Sequence, residues 1–261
     1  MKLGDKEIHL HYVRPDRVTD PDLLERCACL LANDEKQQMP RFFFEHHRHQ
    51  FLITRALIRS CLSLYHDVRP NEWVFAKNEY GKPHVAGPNR GTPIHFNISH
   101  ASGLIVCGLT RNFHIGVDVE DSQRATQTAF KRLASYFSVR EIEALEALPA
   151  NIQKQRFFDI WTLKESYIKA RGGGLSIPLR KFSFEFGDDL LKNFQVDTEL
   201  GDEAESWQFW RLSAPPAYRL AIAVNAASPA LELGTFNSVP LTTPEPRSLP
   251  QLSRYPIYPS T

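Results

Sequence analysis

Apolar positions recur along this chain at two periods, one helical and one of strands. Residues 8–13 read as a strand. Asp20-Pro21 followed by Leu23, Leu24, Cys27, Leu30 and Leu31 predicts a helix with proline in its first turn. Residues 36–65 keep that period through Phe43, Phe51, Leu52, Ala56, Ile58, Arg59 and Leu62, and predict one long helix. Pro40 marks its start or a break just before it. The middle changes character: a strand at 73–75, a turn at 80–83, strands at 94–99 and 104–110 around Ser102-Gly103, and a strand at 115–120 after Arg111-Asn112. Together these predict an antiparallel meander. Helices return at 126–137, then from the capping box Ser138-Val139-Arg140-Glu141 to near Pro149, then over 151–171 until Gly172-Gly173-Gly174 stops the last one. Strands at 181–186, 207–212 and 218–224 follow.

This order suggests two similar halves, residues 1–111 and 112–227, without a residue-level repeat. From 228 to 261 the composition shifts. Seven prolines fall in that stretch and the periodicity is lost, so it reads as a poorly packed, extended tail that docks at most through Phe236, Tyr255 and Tyr258. The whole chain has 261 residues, enough for a sizeable core. Its 31 Lys+Arg nearly balance 30 Asp+Glu, which argues against nucleic acid as a partner. No stretch approaches the roughly 20 apolar residues that span a bilayer, so no membrane role is expected. The charged start, residues 1–13, lacks a signal-peptide pattern. Cys27, Cys29, Cys61 and Cys107 are too few for a disulfide framework and lack zinc spacing. Reduced, buried thiols point to the cytoplasm.

Five features carry candidate chemistry. In Ile115-Gly116-Val117-Asp118-Val119-Glu120, strand alternation turns Val117 and Val119 one way and Asp118 and Glu120 the other, with Gly116 leaving that second face open. Two adjacent carboxylates repel unless a cation lies between them, and hard oxygens suit Mg2+ or Mn2+. The pair is equally compatible with an ordinary solvent-facing strand edge. On the last long helix, Glu165 and Lys169 share one side, with Trp161 a turn earlier and Phe158 nearby. Taken alone, Glu165 and Lys169 make a surface ion pair. Phe96-Asn97-Ile98-Ser99-His100 sends Phe96 and Ile98 to the core and leaves polar Asn97 and Ser99 facing elsewhere, with His100 opening the next turn. Gly81-Lys82-Pro83 is a rigid turn that holds one lysine forward, or simply a turn. Lys36, Arg41 and Arg48 form a basic cluster, or a solvated helix face.

The order of these elements is more specific than any one of them. GKP at 81–83, FNISHA at 96–101, GVDVE at 116–120 and WTLKESYIKARGGGL at 161–175 closely resemble the Sfp-type 4′-phosphopantetheinyl transferases, over about residues 5–226. The resemblance implies an α+β fold of two similar halves in one chain, with the active site in the cleft between them, acting as a monomer. It implies transfer of the phosphopantetheine arm of coenzyme A to a serine of an apo acyl or peptidyl carrier protein, releasing adenosine 3′,5′-bisphosphate. Asp118, Glu120 and Glu165 would hold Mg2+ (or Mn2+). Glu165, directly or through a bound water, would be the base for the serine hydroxyl, and Lys169 would touch the diphosphate and protonate the leaving group. Ser99, His100, Lys82 and Pro83 match family residues beside the nucleotide phosphates, and Lys164 is expected to make a supporting phosphate contact.

The family's lysine pair at the start of the first long helix is only partly present: Lys36 is there, Met39 and Pro40 follow, and Arg41 or Arg48 would substitute. The carrier surface is expected at Phe130-Lys131-Arg132-Leu133, or that stretch is one turn of an ordinary amphipathic helix. Two other classes compete with the transferase. A metal-dependent phosphodiesterase or nuclease would also use such acids, although Glu120 is followed by Asp121 and Ser122 rather than a lysine. A non-catalytic coenzyme A or carrier-binding module is the other.

Overall fold

The computed structural model describes residues 1–123, 132–214, 217–228 and 230–256. The amphipathic start builds β1 (Glu7–Val13) and α1 (Pro21–Cys29), whose Asp20 cap accepts from the Asp22 N–H. The predicted long helix is broken. Residues 33–41 make α2 (Asn33–Gln38) and a tight turn containing Pro40, and α3 (Glu45–Ser63) starts only after Phe44. Phe43, assigned above to a helix face, is 87% exposed. Proline cannot continue an α-helix from within, so apolar period alone overran the real start.

Next come β2 (Val74–Lys77), β3 (Pro83–Ala86), β4 (His95–Ala101), β5 (Leu104–Thr110) and β6 (Ile115–Asp121). They are not one meander. β2 and β3 form a separate hairpin, β4 and β5 pair, and β6 joins a different sheet. The Ser138 capping box opens α4 (Val139–Glu146) as expected, and α5 (Ala150–Arg171) ends at Gly172, left-handed at φ 73. Then follow the hairpin β7 (Phe182–Gly187) and β8 (Leu190–Val196) and the pair β9 (Trp207–Ala214) and β10 (Tyr218–Asn225). Of the helix expected at 126–137 and the candidate carrier stretch at 130–133, the residues before Arg132 lie outside the described residues.

Each half repeats one plan: a strand, a long helix, a two-stranded hairpin, then an antiparallel pair that folds back beside the first strand. The first sheet runs β1-β5-β4 and the second β6-β10-β9. Their inner faces meet in a shared core of Ile8, Leu10, Val106, Val117, Val119, Trp210, Leu220 and Ile222. Helices α1 and α3 cover the first sheet, with Leu52, Ile53, Leu57 and Cys61 in the packing. Helix α5 and the β7–β8 hairpin cover the second. Strands β4 and β6 touch where the halves join: the Val117 N–H donates to Asn97 Oδ1 at 2.8 Å, and both groups are buried.

The proline-rich end is not a loose tail. Strand β11 (Glu232–Asn237) pairs in parallel with β1, β12 (Glu245–Pro246) pairs with β11, and β13 (Gln251–Tyr255) pairs antiparallel with β9. One terminal segment therefore extends both sheets. Pro246 lies in the edge strand β12, and Pro250 and Pro256 flank β13, places where a missing N–H removes no ladder bond. Phe236 stacks on His11 at 5.1 Å and Tyr255 lies near Phe209, as expected of docking residues, while Tyr258 is outside the described residues.

Candidate active site

The join between the halves opens into a cleft of about 700 Å³, a volume suited to a nucleotide-sized ligand. β6 alternates as predicted: Val117 and Val119 enter the central core, and Asp118 and Glu120 line the cleft. Gly116, on the same face, does not leave that face open. A Cβ there would lie 1.9 Å from the Ser166 carbonyl oxygen and 2.4 Å from the Ala170 nitrogen, so the α5 backbone fills the space. This close approach brings the next residues of the helix to the strand. Trp161, Glu165 and Lys169, one turn apart, form the cleft-facing ridge of α5.

β4 contributes Ser99 and His100. Half-buried Ile98 lines the cleft as well, although its apolar character predicts a place in the core. α3 adds Gln50, Phe51, Thr54 and Arg55, and the β2–β3 hairpin adds Lys77, Gly81 and Pro83.

The polar groups are linked across the join. The Lys169 ammonium lies 2.6 Å from Asp118 Oδ1 and donates to Ser99 Oγ at 2.9 Å, and the Ser99 hydroxyl donates to the same Asp118 oxygen at 3.0 Å. Asp118 Oδ2 is buried with no hydrogen-bond partner. The Trp161 indole N–H donates to Glu120 Oε1 at 3.2 Å. Burial first, and then repulsion from Asp118, pushes the Glu120 carboxyl up to about 7. The same two causes raise Glu165. Partial desolvation, with Lys169 and Arg55 nearby, lowers the His100 imidazole. The site thus holds three carboxyl groups that repel one another, facing Arg55, Lys77 and Lys169.

Several residues singled out in the sequence are placed elsewhere. Lys164 does not reach the cleft. Its side chain is fully buried, 2.8 Å from Glu141 Oε2, and it donates to the carbonyls of Leu179 and Phe182 at 2.8 and 2.6 Å. One residue along a helix is a turn of about 100°, enough to send Glu165 into the cleft and Lys164 into the core. The Lys82 ammonium points behind the hairpin, to the carbonyls of Ala170 at 2.9 Å and Ile115 at 3.3 Å. There it ties the end of α5 to β6, and desolvation lowers it to about 8.

Lys36 is exposed on α2. Arg41 lines a neighbouring depression with Asp34, Gln37 and Gln38, and the Arg48 guanidinium is taken up by the carbonyls of Phe42 and Phe43. Beside the predicted Lys169, the cleft holds two basic residues that sequence reasoning missed: Arg55, packed over the Phe51 ring at 5.0 Å, and Lys77. The signal for Arg55 is present as two arginines four apart, Arg55 and Arg59, interrupting an apolar helix. Both pair with Glu35, Arg59 from inside at 2.8 Å and Arg55 through its Nε at 3.4 Å, and Arg55 also lines the cleft. Of the cysteines, Cys27, Cys61 and Cys107 are buried free thiols, whereas Cys29 is exposed.

A family model described as the 4′-phosphopantetheinyl transferase superfamily matches residues 114–223, and one for the N-terminal part of a 4′-phosphopantetheinyl transferase matches residues 19–110. A 4′-phosphopantetheinyl transferase of Bacillus subtilis is 32% identical over 235 residues, which is 88% of this chain and 99% of that protein. The transferase Sfp of Bacillus subtilis strain 168 is 30% identical over 79% of this chain and 88% of its own. The transferase HetI of Nostoc sp. strain PCC 7120 is 33% identical over 67% of this chain and 73% of its own. With both halves matched and a 32%-identical relative aligned over 99% of its own length, the chain belongs to the 4′-phosphopantetheinyl transferase superfamily, in its Sfp-type branch.

Proposed function

We propose that the cleft binds coenzyme A and transfers its phosphopantetheine arm to a serine hydroxyl of an apo acyl or peptidyl carrier protein. A bond forms between the serine oxygen and the β-phosphorus, the diphosphate bond breaks, and adenosine 3′,5′-bisphosphate leaves. The observation that carries this reading is the meeting of Asp118, Glu120, Glu165, Lys169 and Ser99, from three elements of two halves, in one nucleotide-sized cleft.

Arg55, Lys77, His100 and Lys169 supply positive charge or donors for the phosphates. Glu165 takes the serine proton: desolvation raises its carboxyl toward the working pH, where a general base is most effective. Lys169, held by Asp118 and Ser99, is positioned to donate to the departing phosphate oxygen.

The donor set also fits a hard divalent cation. Asp118 has a buried oxygen with no partner, and the nearby Glu120 and Glu165 carboxyls are raised by burial and by the charge of Asp118. Among the described residues no three acidic, imidazole or thiol groups are placed to hold a metal ion by themselves; Asp118, Glu120 and Glu165 would do so only together with oxygens of the diphosphate. Mg2+ or Mn2+ bound there would neutralise the diphosphate and the charge building up on the leaving oxygen. Both walls of the cleft come from one chain, which suits a monomer, and the buried thiols suit the cytoplasm. No helix among the described residues is long and apolar enough to cross a membrane.

The test is intact-mass analysis of a panel of apo carriers incubated with the protein, coenzyme A and Mg2+. A gain of one phosphopantetheine, abolished by EDTA, is expected. Failure to modify any carrier would overturn the reading.

A further inference from the structure

Lys164 stands next to Glu165 in the sequence yet takes no part in the cleft. All three ammonium protons are used inside the protein, on Glu141 and on the carbonyls of Leu179 and Phe182. The Phe182 ring lies 4.3 Å from the ammonium. Glu141 is equally committed. Its Oε2 accepts from the backbone N–H and hydroxyl of Ser138 at 3.0 and 2.8 Å, and its Oε1 accepts from the Phe184 N–H at 3.0 Å. One buried ion pair therefore joins α5 to the start of α4 and to β7.

At 100° per residue, Lys164 lies on one flank of the Trp161–Glu165–Lys169 ridge, and Ser166 and Ala170 lie on the other. That second flank is pinned by the close approach of Gly116. The ridge is thus held from both sides. A carboxylate about 6 Å from a helix axis moves about 1 Å when the helix turns by roughly 10°. Misplacement of about 1 Å at a reacting group slows turnover on the order of a hundredfold.

The geometry points to Lys164 and Glu141 as positioning residues that set the rotation of α5, and so the aim of Glu165 and Lys169 into the cleft. This rests on the cleft being the transfer site. Buried charge pairs exchanged for neutral partners of similar shape often leave a fold intact, so stability and aim are separable.

The experiment compares Lys164→Met/Glu141→Gln with wild type for Tm, KM for coenzyme A and kcat by holo-carrier formation. The introduced glutamine keeps an acceptor for the Phe184 N–H, and the introduced methionine keeps the side-chain volume of the lysine. We expect a folded protein, a KM within about threefold of wild type and a kcat lowered by roughly ten- to a hundredfold. Glu141→Asp, the milder change because the buried ammonium keeps a counter-ion while the carboxylate is drawn back by one methylene, should lower kcat several-fold at unchanged KM, and it carries the test if the double variant does not fold. Wild-type kcat in either folded variant overturns the inference, as does a loss that only tracks the unfolded fraction. Asp118→Asn and Glu165→Gln are run alongside. Turnover in those two would sink the cleft reading itself, whereas their inactivity beside a fully active double variant would sink only the positioning role.

Discussion

Asp118 shows how much one side chain can bind together. Its Oδ1 meets Lys169 and Ser99, and its Oδ2 is buried and free of partners. Lys169→Ala would remove the ammonium from this junction and from the diphosphate. It is expected to lower kcat by on the order of a hundredfold, because a donor aimed at developing charge is lost, and steady-state kinetics with one carrier checks this. Arg55 stands on the opposite wall with its guanidinium over Phe51. Arg55→Ala is expected to raise KM for coenzyme A about tenfold at nearly constant kcat, the effect of losing one charge-assisted phosphate contact. The acidic pair was readable in the sequence because a strand alternates strictly. The fates of Lys164 and Glu165, or of Arg55 and Arg59, were not, since on a helix the choice between cleft and core depends on rotation against a neighbour that the local pattern does not name.

Gly116 shows the same limit at the level of elements. In the sequence it reads as free space beside the acids, whereas in the fold it is where α5 crosses β6. Gly116→Ala is expected to destabilise the protein by about 3 kcal/mol, since backbone rather than a flexible tip must give way. The readout is the midpoint of urea unfolding.

The β1–β11 pairing is sealed by a polar cluster. His11 Nδ1 pairs with Ser238 Oγ and Nε2 with the Tyr65 hydroxyl, each at 2.7 Å, and Tyr65 also meets His9 Nδ1 at 2.7 Å. Burial, with His9 beside it, lowers the His11 imidazole to about 3 from an ordinary 6.5. Between those values the unfolded chain binds the proton and the folded chain does not. The stability is therefore complete above pH 6.5 and is lost as pH falls below it. The expected loss between pH 6.5 and 5 is on the order of 1–2 kcal/mol. Urea midpoints across that range check it, and His11→Gln should flatten the slope.

At the scale of the molecule, the terminal segment decides how the halves are held. β11 lengthens the first sheet and β13 the second. Leu231 is fully buried in the core between the sheets. Removing residues 228–261 would uncover one edge of each sheet. It is expected to lower stability by on the order of 5 kcal/mol, comparable to that of a whole small domain, and to promote self-association through the bare edges. Thermal melts and light scattering on the shortened chain give the measurement. Composition misjudged this segment, because proline-rich sequence is a poor helix former but pairs well enough at a sheet edge, where only part of each strand's N–H groups are needed.

Local pattern was enough to settle what depends on a residue and its near neighbours. This covers the strands around the acids, the Ser138 cap, the end of α5 at Gly172 and the order of motifs that carries the family resemblance. The tertiary structure alone decided what depends on groups distant in the chain. It set which sheet β6 joins, where the terminal strands pair, that Lys164 and Lys82 serve the core and the helix end, and that Arg55 reaches the cleft. The physical reason is that side-chain periodicity follows from backbone geometry within a few residues, whereas a partner is chosen by packing and burial summed over the whole chain.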